Sequence, residues 1–212
     1  MKKLLIAAAA LIFAPLSVVP ASAHMVWLER PTPETARAYF GEMISRHEKT
    51  GALLDKIQPA IFLDPAHPLA QTRGEDFIEV NAAGDVRLAD ERYPPFGEGE
   101  RGTMRPMMYA RWGRTDTNAL MAFEFVPDAP GGDSFALLLG GKPAARIKVV
   151  LIDAQGFDTK YETDEAGHVT VKPEGPGQFI LRASSIDRTP GEFAGKPYDF
   201  TARVTTLTFI AQ

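Results

Sequence analysis

In the stretch TARVTTLTF, Ala202, Val204, Thr206 and Thr208 alternate with Arg203, Thr205, Leu207 and Phe209. A period of two sends successive side chains to opposite sides of a strand and predicts a half-buried antiparallel element. Upstream, FALLLGGKPAARIKVVLIDAQG and DEAGHVTVKPEGPGQFILRAS repeat the theme, with short runs rich in Val, Ile, Phe and Leu separated by glycine-containing turns. Turn signals at such short intervals argue for a sandwich of about seven strands, of immunoglobulin- or transthyretin-like type, over residues 134–212. TDEAGH reads as a hairpin turn, with Gly167 taking the positive φ that other residues avoid.

The preceding half is less regular but also strand-rich. HMVWL, ARAYFGE, AIFLD, DFIEVN, DVRLA, MMYARWG and ALMAFEFVP each suit a strand, and ERYPPFGEGERGTMRP reads as loop. One window, SRHEKTGALLDKI, places Ile44, Leu53, Leu54 and Ile57 near helical spacing and predicts one short helix, which Gly51 weakens. PDAPGGD, residues 127–133, breaks both helix and strand and reads as a linker. The expectation is a mainly β chain of two β-rich modules, residues 24–126 and 134–212, with a single short helix in the first.

Residues 1–23 have a different character. Lys2 and Lys3 precede an apolar run interrupted by Pro15, and Ala21-Ser22-Ala23 fits the small-x-small cleavage rule. The run is shorter than the roughly 20 apolar residues of a spanning helix. The pattern predicts a signal peptide cut before His24, a periplasmic mature protein, and no membrane insertion after cleavage. Loss of the two lysines takes the net charge from −4 to −6, which gives no reason to expect nucleic acid as a partner. The chain has no cysteine, which excludes disulfides, a thiolate nucleophile and a cysteine metal site.

Cleavage before His24 would free an α-amine with a pKa of about 7.7–8.0, against about 10.4 for lysine. That nitrogen and the ring nitrogen nearest the backbone can close a small chelate ring on Cu(II) or Ni(II). A second histidine would complete a three-nitrogen brace. His47 is the preferred partner among His47, His67 and His168, and Met25 adjoins the terminus. Met104, Met107 and Met108 form a weaker candidate set, since thioethers select Cu(I) but also fill cores, and Met107 and Met108 point to opposite faces of a strand. Tyr93, Phe96, Tyr109 and Trp112, interleaved with arginines, could form a binding surface. Asp153, Asp158, Asp164 and Glu165 fall on turns without calcium-loop spacing, and no Gly-x-Ser-x-Gly, His-Glu-x-x-His, Walker loop or dinucleotide fingerprint occurs. The expectation is a protein that is not an enzyme.

The opening AHMVWLE, followed by YFGE, LLDKI, GGKPAARIKVVLIDAQG, TDEAGHVTV, GPGQFILRAS and GEFAGKPYDF, resembles a family of bacterial periplasmic proteins. That family is catalogued as a domain of unknown function and labelled NikM-like or nickel-uptake related. The resemblance implies a periplasmic β-rich protein that handles a transition metal, and it implies that His24 at the mature start is a family feature. Two functional expectations follow. The first is a metal-binding uptake accessory that carries nickel or copper to a membrane transporter. The alternative is a non-metal binding or scaffolding module that docks a transporter, an outer-membrane receptor or a glycan.

Overall fold

The computed structural model describes residues 24–44 and 46–212; the signal peptide expected over residues 1–23 lies outside the described residues. The strands in chain order are β1 (Met25–Thr32), β2 (Thr35–Glu42), β3 (Arg46–His47), β4 (Ala60–Phe62), β5 (Thr72–Arg73), β6 (Ile78–Asn81), β7 (Val86–Asp90), β8 (Met104–Trp112) and β9 (Phe123–Pro127). There follow β10 (Ser134–Leu139), β11 (Lys142–Pro143), β12 (Lys148–Asp153), β13 (Asp158–Glu162), β14 (His168–Thr170), β15 (Gly177–Asp187), β16 (Gly191–Phe193), β17 (Lys196–Tyr198) and β18 (Phe200–Ala211). The mainly β expectation holds. The window expected to be helical instead contains β3 and a single 3-10 turn, Leu53–Lys56. Leu54 and Ile57 are buried by that turn, so the apolar spacing reflects one tight corner rather than a helix face.

A seven-stranded sheet in the order β13-β12-β15-β18-β8-β7-β4 forms the middle of the molecule. It corrects the expected division at residues 127–133, because β4, β7 and β8 come from before that segment and the other four strands from after it. The segment is not a linker either. β9 and β10 pair across it, with Phe135 opposite Pro127, and Asp128 N–H donates to the Ser134 carbonyl. PDAPGGD is a hairpin connection, for which proline and glycine serve as well as for a linker.

The join between the halves is the pairing of β18 with β8, which is parallel, with Arg203 opposite Met107 and Thr205 opposite Tyr109. On its other edge β18 pairs antiparallel with β15. This central position explains why Thr205 to Phe209 are all buried, where alternation predicted one exposed face.

One face of the middle sheet packs against a smaller sheet of β9, β10, β11 and β14. The core between them contains Met107, Tyr109, Phe123, Phe125, Phe135, Leu137, Val149, Leu181, Leu207 and Phe209. The opposite face receives a five-stranded sheet of β1, β2, β3, β5 and β6. Alternation along β1 feeds two clusters. Val26 and Leu28 pack with Phe40, Leu88, Met108 and Ala110, whereas Met25 and Trp27 pack with Ile152 and Ile180. The β1 edge therefore meets the middle sheet with apolar clusters on both of its flanks. The buried Thr206 hydroxyl donates to the Val26 carbonyl at 2.8 Å and occupies part of that edge's hydrogen-bonding capacity. Thr206→Val keeps the shape and leaves the carbonyl bare, so it is expected to lower stability by about 1–2 kcal/mol in urea unfolding.

Candidate functional site

His24 immediately precedes β1, and its ring stands on the side of Val26 and Phe40. The His24 and Phe40 ring centroids are 5.4 Å apart. Its Nε2 lies 2.7 Å from Oε1 of Glu48, whose side chain is 4% exposed. Glu48 is held in place by its own backbone, since its N–H donates to the Phe40 carbonyl at 2.8 Å. A carboxylate only accepts, so Nε2 carries the proton toward Glu48, and in the neutral ring the lone pair falls on Nδ1. Nδ1 is the nitrogen that a chelate with the residue's own amine requires. His24 is therefore fastened through both its ring and the adjoining β1.

The expected partner does not join it. Met25, Gly41 and His47 are abreast across β1, β2 and β3, so His47 projects on the Met25 side of the sheet and His24 on the other. His47 packs against Trp27 and Tyr39, with centroids 5.1 and 4.8 Å away, and its Nδ1 is 3.1 Å from Asp76 Oδ2. The His24–His47 brace is corrected by a single residue of strand parity. Met25 is buried beside Trp27, Ile152 and Ile180 and packs as core. Met107 and Met108 fall in separate cores on opposite faces of β8, as their spacing predicts, and Met104 begins that strand. His67 is exposed beside Asp64, and His168 sits 3.1 Å from Asp128. Among the described residues, no group of three or more His, Cys, Asp or Glu side chains is placed to hold a metal ion.

The expected aromatic surface is mostly interior. Tyr109 and Tyr93 are buried, Trp112 is half-buried, and Phe96 alone of the four is exposed. Two of the four nevertheless approach His24. Phe40 and Tyr93 have centroids 6.2 Å apart and Tyr93 and Phe96 5.8 Å, so rings run from His24 through Phe40 and Tyr93 to Phe96 at the surface. Trp112 lines a different feature, an open cavity of about 580 Å³ that also involves Arg114, Asp133 and Phe209. Arg114 is already engaged there, by Asp133, the Gly132 and Ile210 carbonyls and the Phe209 ring.

Sequence reasoning missed Glu48 because its partner is 24 residues away and on another element. It also missed a buried ion cluster. Arg87 on β7 and Arg111 on β8 are Cα partners, and both donate to Oε1 of Glu124 on β9, at 2.7 and 3.0 Å. The Leu120 and Met121 N–H groups donate to Oε2 at 2.7 and 2.9 Å, while Asp85 and Asp116 accept from the outer sides of the two guanidiniums. This cluster has a structural role, clasping the smaller sheet to the middle one. No family model, no curated protein and no solved structure matches this chain.

Proposed function

We propose that the mature protein is an exported carrier for a divalent transition ion, Cu(II) or Ni(II), gripped by the α-amine and Nδ1 of His24. The ion is cargo. The observation that supports this reading is the 2.7 Å contact of His24 Nε2 with the buried Glu48 carboxylate. A carboxylate behind a ligating imidazole fixes its tautomer and raises its basicity, as an outer partner does in established metal sites. With His47 on the opposite face, the protein contributes a two-nitrogen claw with coordination positions left over. That incompleteness suits transfer, because a receiving transporter can add its own ligands before the first two release. The exposed Phe96, at the end of the ring series from His24, gives such a partner an apolar foothold.

The test is calorimetric titration with Cu(II) and Ni(II) of protein beginning at His24, beside protein carrying one additional residue before it. Binding by the first and not the second is expected; equal binding by both rejects the claw. A second arm addresses the supporting carboxylate. Glu48→Gln keeps an accepting oxygen and removes the charge, so metal affinity should fall by about tenfold, the lower end of outer-partner effects. Unchanged affinity would show that Glu48 serves the fold alone.

A further inference from the structure

Two pairs of arginines on the middle sheet differ in how their donors are satisfied. Arg87 and Arg111 are buried with their donors directed at carboxylates and carbonyls. Arg105 and Arg203 are half-buried and less completely paired. Arg105 makes one marginal hydrogen bond, from Nη2 to the Glu91 carbonyl at 3.5 Å, and its Nε is buried without a partner. Among the described residues no carboxylate lies within ion-pair distance of it. For Arg203 the nearest acid is Asp187 at 3.7 Å, beyond a normal hydrogen bond, and its side chain is only 20% exposed. A buried N–H without an acceptor is costly, so the unused Nε donor of Arg105 requires an explanation.

The fold brings the two together from positions far apart in sequence. On the parallel β8–β18 ladder Arg105 is opposite Thr201, and Met107 is opposite Arg203. Side chains at these paired positions share a face with Tyr109 and Thr205, one step further along. That face is the one covered by the smaller sheet in its other half. Here the cover is the β16–β17 hairpin, with the Arg105 guanidinium 4.4 Å from the Phe193 ring centroid and 5.7 Å from that of Tyr198. The hairpin is tight because Ala194 and Gly195 both adopt positive φ, the turn that matches strand twist. Gly191 lets the Tyr198 ring lie against its backbone, where a Cβ would be 2.4 Å from the phenol oxygen.

Other polar groups surround the pair. The Tyr109 hydroxyl donates to Glu91 at 2.6 Å; burial and that carboxylate push its pKa up, while Arg105 and Arg203 act to lower it. The Thr205 hydroxyl, fully buried beside Tyr109, has no hydrogen-bond partner. Two of the three buried side-chain polar atoms left unmatched among the described residues thus fall on this one face.

We propose that Arg105 and Arg203 form a fork that binds the carboxylate of a small organic acid, with the acid's apolar body against Met107, Phe193 and Tyr198. A guanidinium presents paired N–H groups that match a planar carboxylate, and its flat face stacks on aromatic rings. Glu91 and Asp187 stand nearby, so the local field is close to balanced. It favours a singly charged guest over a phosphate or sulfate dianion.

The probes are benzoate, acetate and inorganic phosphate, titrated calorimetrically into the mature protein without added metal, so the outcome is separate from that of the His24 claw. Benzoate is expected to bind, acetate more weakly and phosphate weakest. Arg105→Gln and Arg203→Gln should each weaken benzoate by about tenfold or more, the effect of losing a charge-assisted hydrogen bond. Phosphate binding more tightly than benzoate overturns the assignment to a carboxylate, and benzoate affinity unchanged in both variants overturns the fork. Because a variant can fail to fold, the unmodified protein supplies an independent reading. The Arg105 Nε–H resonance should shift on benzoate addition, and a fixed resonance at saturating benzoate rejects the site.

Discussion

Glu124→Ala is expected to lower stability by about 3–5 kcal/mol, read as a drop in the urea midpoint with an unchanged slope. The cause is the number of donors that one carboxylate serves. Its removal deprives Arg87 and Arg111 of their shared acceptor and leaves the buried Met121 N–H and the half-buried Leu120 N–H without theirs. Asp85 and Asp116 remain, but each approaches the guanidiniums from the outer side and cannot reach the vacated centre. A buried ion cluster is not a large net source of stability compared with apolar packing, whereas breaking one partner out of it is severe. The same substitution should loosen β9 and β10 first, since Glu124 is a buried polar tie of that hairpin to β7 and β8. Hydrogen exchange should therefore rise at Phe125 and Leu137 before it rises at Leu207. A loss below about 1 kcal/mol, within the range of an ordinary surface change, would rule out the clasp.

The second large effect concerns the proposed α-amine of His24. Adding a single residue before His24 should reduce Cu(II) or Ni(II) affinity by about two orders of magnitude or more, the scale on which a tethered second donor strengthens the first. The added peptide bond turns the amine into an amide, whose nitrogen lone pair is delocalised and ligates only after the ion displaces its proton, a cost the free amine does not carry. The imidazole survives, still held by Glu48, and on its own is an ordinary single ligand. His24→Ala in correctly processed protein should lose binding to a similar extent for the complementary reason. If the extended protein binds as tightly as the native one, the ion is held elsewhere.

Much of the strand content was legible because it depends on local signals. Period-two runs such as TARVTTLTF and turn residues such as Gly167, whose φ is 78°, carry their reason in their own sequence. The misreadings have a common cause, which is that parity and pairing are not local. Leu53, Leu54 and Ile57 are apolar at helix-like spacing, yet they line a corner of a β layer. Proline and glycine in PDAPGGD mark a break in regular structure without saying whether the flanking segments turn back on each other, as β9 and β10 do. His24 and His47 were both read as candidate ligands, but which face each one occupies was fixed only by the β1–β2–β3 register. The Arg105 and Arg203 pair was invisible for the same reason, because a parallel ladder joins segments that no turn connects.

The position of β18 has a consequence for how the chain reaches its native state. Until its 12 residues arrive, the middle sheet is split, and β8 and β15 each present an unsatisfied row of N–H and C=O groups to any strand nearby. A polypeptide emerging with its N-terminal end first would hold those edges open until β18 is made. Closure from such distant partners is slow, and the open edges invite intermolecular pairing. The order of assembly places the burden of specificity on the final strand rather than on the first.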